Sequence, residues 1–580
     1  MNSRAFGWIQ NPSDFKKLKL VVQVFDSESE HYKNLREKII PDVMFFESDK
    51  KRFLDYLNNS VEEFSYLDLV GSQRNKDNES TSNRGEAVAN SILQVTILPQ
   101  SAETRGKMYT DNWTADGFLR WAVSFNFVES NRELDTFKIT DLGKEFARTA
   151  DDSNEEIEIL KKAILRYPPA TQVLSLLAES GGWHTKFYIG NELGFIGEKG
   201  FTSYDESLMI DWLRTTSDRN EQKSIRQDVE GTSDKYARMI SGWLRKIGFV
   251  DQRSTKLTTS DGEITGFPEY SITGPGLHAI RQAHGSSKNT RVTKFIMWEF
   301  FATSGKNKDY IRTRRAYILK IIQSTKSFNI LMNRLERLGF KDDKAVIKND
   351  LNGLNTAGIE IEYDNDRVDL KDKLVDFTIP ELDVTEELKD AEIEKIKSDF
   401  MKNTSVPVKF IELLEIAYDG KRNRDFEIVT IELFKKVYGL NAVLLGGGRK
   451  PDGVVSTNDY GIIIDTKAYS DGYSKSIGQE DEMVRYIEDN QLRDKHRNPI
   501  EWWDNFPKSI SEESFYFMWI SSKFVGRFQE QLSSTYHRTN TKGAALNVEQ
   551  LLLGADAVIK GKLNKNDIPD YIKNKEIIWF

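Results

Sequence analysis

The chain has no cysteine, and this removes disulfides and thiolate-held metals from consideration. Six scattered histidines in 580 residues make a zinc site improbable as well. No apolar run approaches the roughly 18 residues that a membrane-spanning helix needs. The start, Met1-Asn2-Ser3-Arg4-Ala5-Phe6, lacks an apolar core followed by a cleavage site, so a bacterial-type cytoplasm is expected. Hydrophobic content of 38% and charged content of 30% describe an ordinary globular protein, long enough for several domains.

The net charge of −8 argues against a polyanionic partner until its distribution is read. Residues 231–320 hold 16 Lys/Arg against 7 Asp/Glu, an excess of +9, which leaves −17 for the remainder. A basic block inside an acidic protein is the footprint of a phosphate-binding face; a merely solvated charge run is the bland alternative.

A weak repeat organises the N-terminal half. Near 116–146 a helix around Gly117–Ala122 is followed by Phe127-Val128, a polar turn and Phe137-Lys138-Ile139-Thr140-Asp141-Leu142-Gly143. Near 234–278 the same plan returns: a helix from Tyr236 to Lys246, Gly248-Phe249-Val250, then Tyr270-Ser271-Ile272-Thr273-Gly274-Pro275-Gly276. A looser copy runs from Leu354 through Ile361 to Leu370. Helix, tight turn and two-stranded ribbon make a winged-helix plan, with Tyr236, Met239, Ile240, Trp243 and Ile247 as the buried stripe of the second helix. After Pro380 the composition changes to a Glu/Lys-rich helix, Glu386 to Lys402. Helices near 408–418 and 425–438 and strands flanked by helices follow, an α/β core of about 190 residues.

The chemistry concentrates at Pro451-Asp452 and Asp465-Thr466-Lys467. Asp465 ends the apolar run Gly461-Ile462-Ile463-Ile464, a buried strand, so Asp465 and Lys467 point to one side, roughly 7 Å apart along the chain. Asp452 leaves the turn-rich Gly446–Pro451 stretch on a neighbouring strand. Two carboxylates and a lysine suit a hard divalent cation such as Mg²⁺ and a phosphodiester substrate, the chemistry of a metal-dependent nuclease. Asp-x-Lys also occurs at Asp14, Asp342 and Asp369, which read as solvated surface. A further carboxylate from a helix is open between Glu432, Glu427 and Glu415.

The order Gly-Gly-x-Arg-Lys-Pro-Asp-Gly, then Asp-Tyr-Gly-Ile-Ile-Ile-Asp-Thr-Lys-Ala-Tyr, then Ile-Gly-Gln-x-Asp-Glu-Met-x-Arg-Tyr resembles the cleavage domain of FokI-type type IIS restriction endonucleases, members of the PD-(D/E)xK superfamily. Phe6–Pro12, Asp111–Trp113, Ser233–Met239 and Tyr310–Ala316 carry the resemblance through the rest of the chain. It implies α-rich winged-helix recognition domains at 1–150 and 151–285, and a third winged-helix subdomain at 286–375 that mainly makes protein contacts. A linker at 376–387 and an α/β cleavage domain with a central mixed sheet at 388–580 complete the plan.

The resemblance also implies Asp452 and Asp465 as Mg²⁺ ligands with the Thr466 carbonyl as an extra one, and Lys467 as the group that positions water and stabilises the transition state. Double-stranded DNA would be contacted by Asn11, Arg84, Glu86, Trp113, Gln227, Glu230, Lys235 and Arg238. Gln227 and Val229 stand where the family has Asn and Trp, so a GGATG target is a starting expectation with at least one base open. Asp481 and Arg485 lie four apart on one helix, the spacing of an ordinary intrahelical pair worth a few tenths of a kcal/mol. The resemblance places them instead at a contact with a second copy of the chain, since one centre cuts one strand. A cognate DNA methyltransferase is the implied functional partner. Two alternatives stay open: a winged-helix binding protein with a silent nuclease fold, and a site-specific nicking enzyme.

Overall fold

A computed structural model describes residues 4–98, 112–216, 218–259, 262–382 and 391–579. All three sequence repeats form a helix followed by an antiparallel ribbon. In the first, helix α1 (Asn112–Ser124) leads into strands Val128–Asn131 and Thr136–Ile139. A helix α2 (Glu206–Thr215) precedes the second, where α3 (Thr232–Lys246) leads into Val250–Thr259 and Gly262–Ile272. In the third, Lys344–Thr356 leads into Ile361–Tyr363 and Val368–Leu370.

The shared Ile-Thr-x-x-Gly signature has a physical cause. Thr140 and Thr273 each accept a hydrogen bond from the glycine N–H three residues on, starting a short helix behind the ribbon. A Cβ at Gly143 would lie 2.0 Å from the Phe127 carbonyl oxygen, and one at Gly276 2.1 Å from that of Phe249. Only glycine allows the helix to sit that close. The expected α3 stripe is buried in full, and Trp243 stacks on Trp121 of α1 at 4.8 Å.

The basic block is only partly a surface. Arg314 and Arg315 are buried around Asp350, with Nε–oxygen distances of 2.6 and 2.8 Å, and Lys294 is buried on Asp372 at 2.6 Å. These charges hold the third unit together and are not available to phosphates.

The C-terminal segment opens with α4 (Ala391–Asn403); the start expected at Glu386 lies outside the described residues. The helix expected at 408–418 breaks into two single turns, Val408–Ile411 and Leu413–Ile416, and α5 (Asn423–Lys436) follows. Six strands then form one mixed sheet in chain order: β1 (Asn441–Leu444), β2 (Gly453–Ser456), β3 (Gly461–Lys467), β4 (Phe515–Ser521), β5 (Gly543–Asn547) and β6 (Lys575–Glu576). The first three are antiparallel and the rest join parallel to β3. Helices α6 (Ile477–Leu492), α7 (Phe528–Thr539) and α8 (Val548–Ile559) complete the layers around the sheet.

This segment is packed onto the second recognition unit. Phe187, Leu208, Met209 and Trp212 share one buried cluster with the apolar face of α5 and the sheet. Polar links surround it: the Tyr204 hydroxyl donates to Asp425 (2.6 Å), the Trp212 indole to the Leu445 carbonyl (3.0 Å), and Lys450 pairs with Glu221 (2.8 Å). Among the described residues no helix is long and apolar enough to cross a membrane.

Candidate active site

Strand β3 carries Asp465 and Lys467 on one face, as alternation requires. The Lys467 ammonium sits 2.9 and 2.8 Å from the two Asp465 carboxylate oxygens. Asp452 precedes β2, whose antiparallel pairing with β3 sets Gly453 opposite Ile464 and so brings Asp452 beside the end of β3. One Asp452 oxygen accepts from the Thr466 N–H (2.7 Å) and from its hydroxyl (2.8 Å). In an extended residue N–H and C=O point to the same edge, so the Thr466 carbonyl faces the Asp452 side. The two expected aspartates and the lysine are therefore brought together.

Of the three candidate helix carboxylates it is Glu427, on α5, and not Glu432, that lies close enough to feel Asp452 and Lys467. Glu432 is buried against Lys409 and accepts the Asp205 N–H at 3.1 Å; Glu415 pairs with Lys397 at 2.8 Å. Helical spacing could not separate the three, because only the docking of α5 on the sheet decides which face meets β3. Glu427 is bound by Arg424 one turn earlier.

Asp465 is 3% exposed, and burial, with Asp452 adding to it and Lys467 opposing, pushes its carboxyl up to about 7. Burial and then Asp452 likewise push Glu427 up to about 7, against Arg424 and Lys467. Burial acts to lower the Lys467 pKa, but Asp465 and Asp452 outweigh it and hold the ammonium charged. Each carboxylate is thus occupied by a partner within the protein. Among the described residues no three acidic or histidine side chains stand together in an arrangement that could hold a metal ion.

Of the other Asp-x-Lys triplets, the first is solvated as expected and the other two are not. Asp14 is exposed and caps a helix. Asp342 is partly buried, accepting from Arg314 (2.7 Å) and the Tyr310 hydroxyl (2.8 Å). Asp369 is 7% exposed and surrounded by Lys371, Lys326 and Arg367. The last two are structural ion pairs, not solvated surface.

The expected DNA contacts fall on two units. Asn11 and Trp113 meet, the indole donating to the Asn11 side-chain oxygen at 2.7 Å, and Trp113 is 46% exposed despite its size. Arg84 and Glu86 are exposed, with Glu86 accepting from Asn83. Glu230 is buried in a fork with Arg238 (3.0 and 2.8 Å) and takes Lys186 at 2.6 Å. Burial raises its pKa, but Arg238 and Lys186 outweigh it and hold the carboxylate ionised. Gln227 is exposed at the end of its helix, while Val229 is partly buried against the apolar cluster that the second recognition unit shares with the cleavage segment. Lys235 is half-buried in the first turn of α3, the turn fixed by Asp234, whose carboxylate accepts from Gly231 N–H, Tyr204 N–H and Ser203. Sequence reasoning missed Asp234 because two of its three partners, Ser203 and Tyr204, lie on another loop.

On α6 the intrahelical pair does not form. Asp481 instead accepts from Arg538 of α7 at 2.7 Å, and the Arg485 guanidinium lies over the Tyr486 ring at 5.3 Å.

A strand-borne Asp-x-Lys centre on a mixed sheet, behind a series of helix-and-ribbon units, defines a multidomain restriction endonuclease with recognition and cleavage parts on one chain. Family models describe these parts segment by segment: FokI recognition domain subdomain 1 matches residues 4–149, subdomain 2 residues 156–288, the FokI D3 domain residues 301–366 and the FokI cleavage domain residues 390–578. The chain belongs to the FokI family. It is 42% identical to the type II restriction enzyme FokI of Planomicrobium okeanokoites, covering 99% of both chains. It is 29% identical to the type II restriction enzyme StsI of Streptococcus sanguinis, over all of this chain and 96% of the relative. The solved structure of FokI superimposes with a TM-score of 0.89 at 40% identity, covering 99% of this chain and 100% of that one. FokI bound to DNA gives 0.91 at 41% identity over the whole of both chains.

Proposed function

We propose that this protein is a Mg²⁺-dependent type IIS endonuclease that binds a short asymmetric duplex site and cuts both strands at a fixed distance outside it. Residues 1–150 and 151–285 read the DNA, 286–375 packs, 376–387 tethers, and 388–580 cuts. The observation that carries the reading is the convergence of Asp452, Asp465 and Lys467 at one strand end, in a chain whose other units resemble FokI's recognition domains.

The donor set fits a hard cation: Mg²⁺ is held through one or two carboxylates together with substrate phosphate, and Asp452, Asp465 and the Thr466 carbonyl supply oxygen alone. When bound, the ion would supply activation of water and neutralisation of the charge that grows on the phosphate. Lys467, kept charged by the two aspartates, then turns from Asp465 toward the reacting phosphate, holds the attacking water and stabilises the oxyanion. Arg238 and Lys235 offer donors to guanine O6 and N7, and Glu230 orients Arg238 while remaining able to accept from cytosine N4. Asn11, Trp113, Arg84, Glu86 and Gln227 extend the contact around the duplex.

Cutting both strands calls for a second centre, and a second copy of the chain meeting through α6, by Asp481 and Arg485, supplies it with two-fold symmetry. The enzyme would act in a bacterial cytoplasm beside a cognate methyltransferase that protects the host's own sites. End-sequencing of a plasmid digested with the pure protein and Mg²⁺ tests the proposal. Breaks in both strands at constant offsets on one side of one asymmetric sequence are expected. Nicks in a single strand, or tight binding with intact DNA, would overturn it.

A further inference from the structure

The recognition segment meets the surroundings of the active site at Arg424, a side chain of the cleavage segment. Arg424, in the first turn of α5, bonds Glu427 one turn on. Its guanidinium lies 4.4 Å over the ring of Trp212, which belongs to α2 of the recognition segment and is fully buried. The same Nη1 that bonds Glu427 is pressed against Gly446, where a Cβ would fall 2.2 Å from it. The same indole donates to the carbonyl of Leu445, next to Gly446, and Lys450, two residues before Asp452, is tied to Glu221. The guanidinium is therefore held in a slot with one wall from each segment, and from that slot it bonds Glu427, a helix carboxylate close enough to Asp452 to feel its charge.

We propose that Arg424 is a positioning residue that withholds Glu427 from the metal centre while the cleavage segment is docked, and that Trp212 keeps it there. This rests on the reading of Asp452 and Asp465 as the Mg²⁺ ligands. Undocking removes the Trp212 wall, and with it the cation–π contact that favours the guanidinium's place. Glu427 is then free to turn toward Asp452 and complete a three-carboxylate site. Centre and docking become linked, and the linkage is reciprocal: whatever makes the centre bind a cation more tightly on undocking makes the cation favour undocking. The absence of any preassembled three-carboxylate cluster among the described residues is what this arrangement requires of the docked state.

The test uses the full-length protein without DNA and Ca²⁺ as the probe, followed by calorimetry. Arg424→Met removes the competing cation at a partly exposed position, and Trp212→Phe removes the indole wall while keeping an aromatic core. Both should bind Ca²⁺ about tenfold more tightly than wild type, since affinity at such sites follows the count of charged ligands. Adding Glu427→Gln to either should cancel the gain. In X-ray scattering, saturating Ca²⁺ should enlarge the radius of gyration of the wild type and leave that of Glu427→Gln unchanged. Asp452→Ala should abolish binding in every background; if Ca²⁺ still binds, the active-site reading itself has failed. If Asp452→Ala abolishes binding while Arg424→Met and Trp212→Phe bind as wild type does, the site stands and the Arg424 inference is overturned.

Discussion

The chain ends two strands with the same triplet, and only one of them has the surroundings of a cutting centre. At Asp369-Leu370-Lys371 the lysine lies 2.9 Å from the aspartate; at Asp465-Thr466-Lys467 the spacing is 2.8 Å. Both aspartates are buried. The difference lies in the company. Asp369 meets Lys326 and Arg367 besides its own lysine, and although burial raises its pKa, those cations bring it below the usual range. Asp465 meets one lysine and feels the negative charges of Asp452 and of Glu482 on α6, and burial brings it up to about 7. Three cations around one carboxylate make a satisfied structural knot. Asp452 and Asp465 beside one lysine leave negative charge that a divalent cation can answer.

The sharpest break in this comparison is at the centre itself. Asp452→Ala or Lys467→Ala should lower cleavage by about a thousandfold or more, the equivalent of roughly 4 kcal/mol of charge stabilisation. Single-turnover rates on a plasmid measure it; Lys371→Ala should leave the same rate unchanged.

Recognition groups should fail differently. Lys235→Ala and Arg238→Ala are expected to weaken specific binding by about 1–3 kcal/mol and to relax selectivity at the base pair each reads. Gel shifts on a panel of single-base variants would show this, and cutting at saturating protein should be restored. Equal weakening on every sequence would mark a phosphate contact in place of base reading.

A smaller effect is expected at α6. Double-strand cutting should be second order in protein at low concentration, and Asp481→Ala should slow it about tenfold, at the lower end for a charge pair across an interface. Because Arg538 holds Asp481 within the chain, Arg538→Ala should shift the half-maximal protein concentration downward. Rates strictly proportional to protein, with Asp481→Ala unimpaired, would remove the dimer from the account.

The smallest difference is in stability. Asp369→Asn should cost about 1 kcal/mol at neutral pH. Its lowered pKa means that the contribution is complete above the unfolded value near ~4 and fades as pH falls through the folded one. Asp465 has the opposite sign: its raised pKa means that the metal-free fold loses stability as pH rises from about 4 toward 7. Denaturant melts in chelator across that range should therefore flatten in Asp465→Asn and not in Asp369→Asn.

These contrasts show what the sequence could carry. The apolar run before Asp465 and the turn before Asp452 are local, and strand alternation converts them directly into a site. The Thr-x-x-Gly repeats were legible for the same reason, since cap and close contact lie within one short stretch. Glu427 was not separable from Glu415 and Glu432, because the deciding contact is between α5 and the sheet. Asp369 read as solvated because its extra cations come from positions 326 and 367, and the Arg538 partner of Asp481, which the sequence left between an Arg485 pair and a contact with a second copy, was hidden because it is 57 residues away. The +9 block overstated the DNA face, since Arg314, Arg315 and Lys294 are consumed by Asp350 and Asp372.

One paired measurement tests the central claim most directly: gel shift and plasmid digestion of Asp465→Asn and Asp369→Asn, side by side with wild type in Mg²⁺. The account predicts that Asp465→Asn shifts its target duplex with wild-type affinity and cuts nothing, while Asp369→Asn both binds and cuts. Retained cutting in Asp465→Asn, or loss of binding together with cutting, would contradict it.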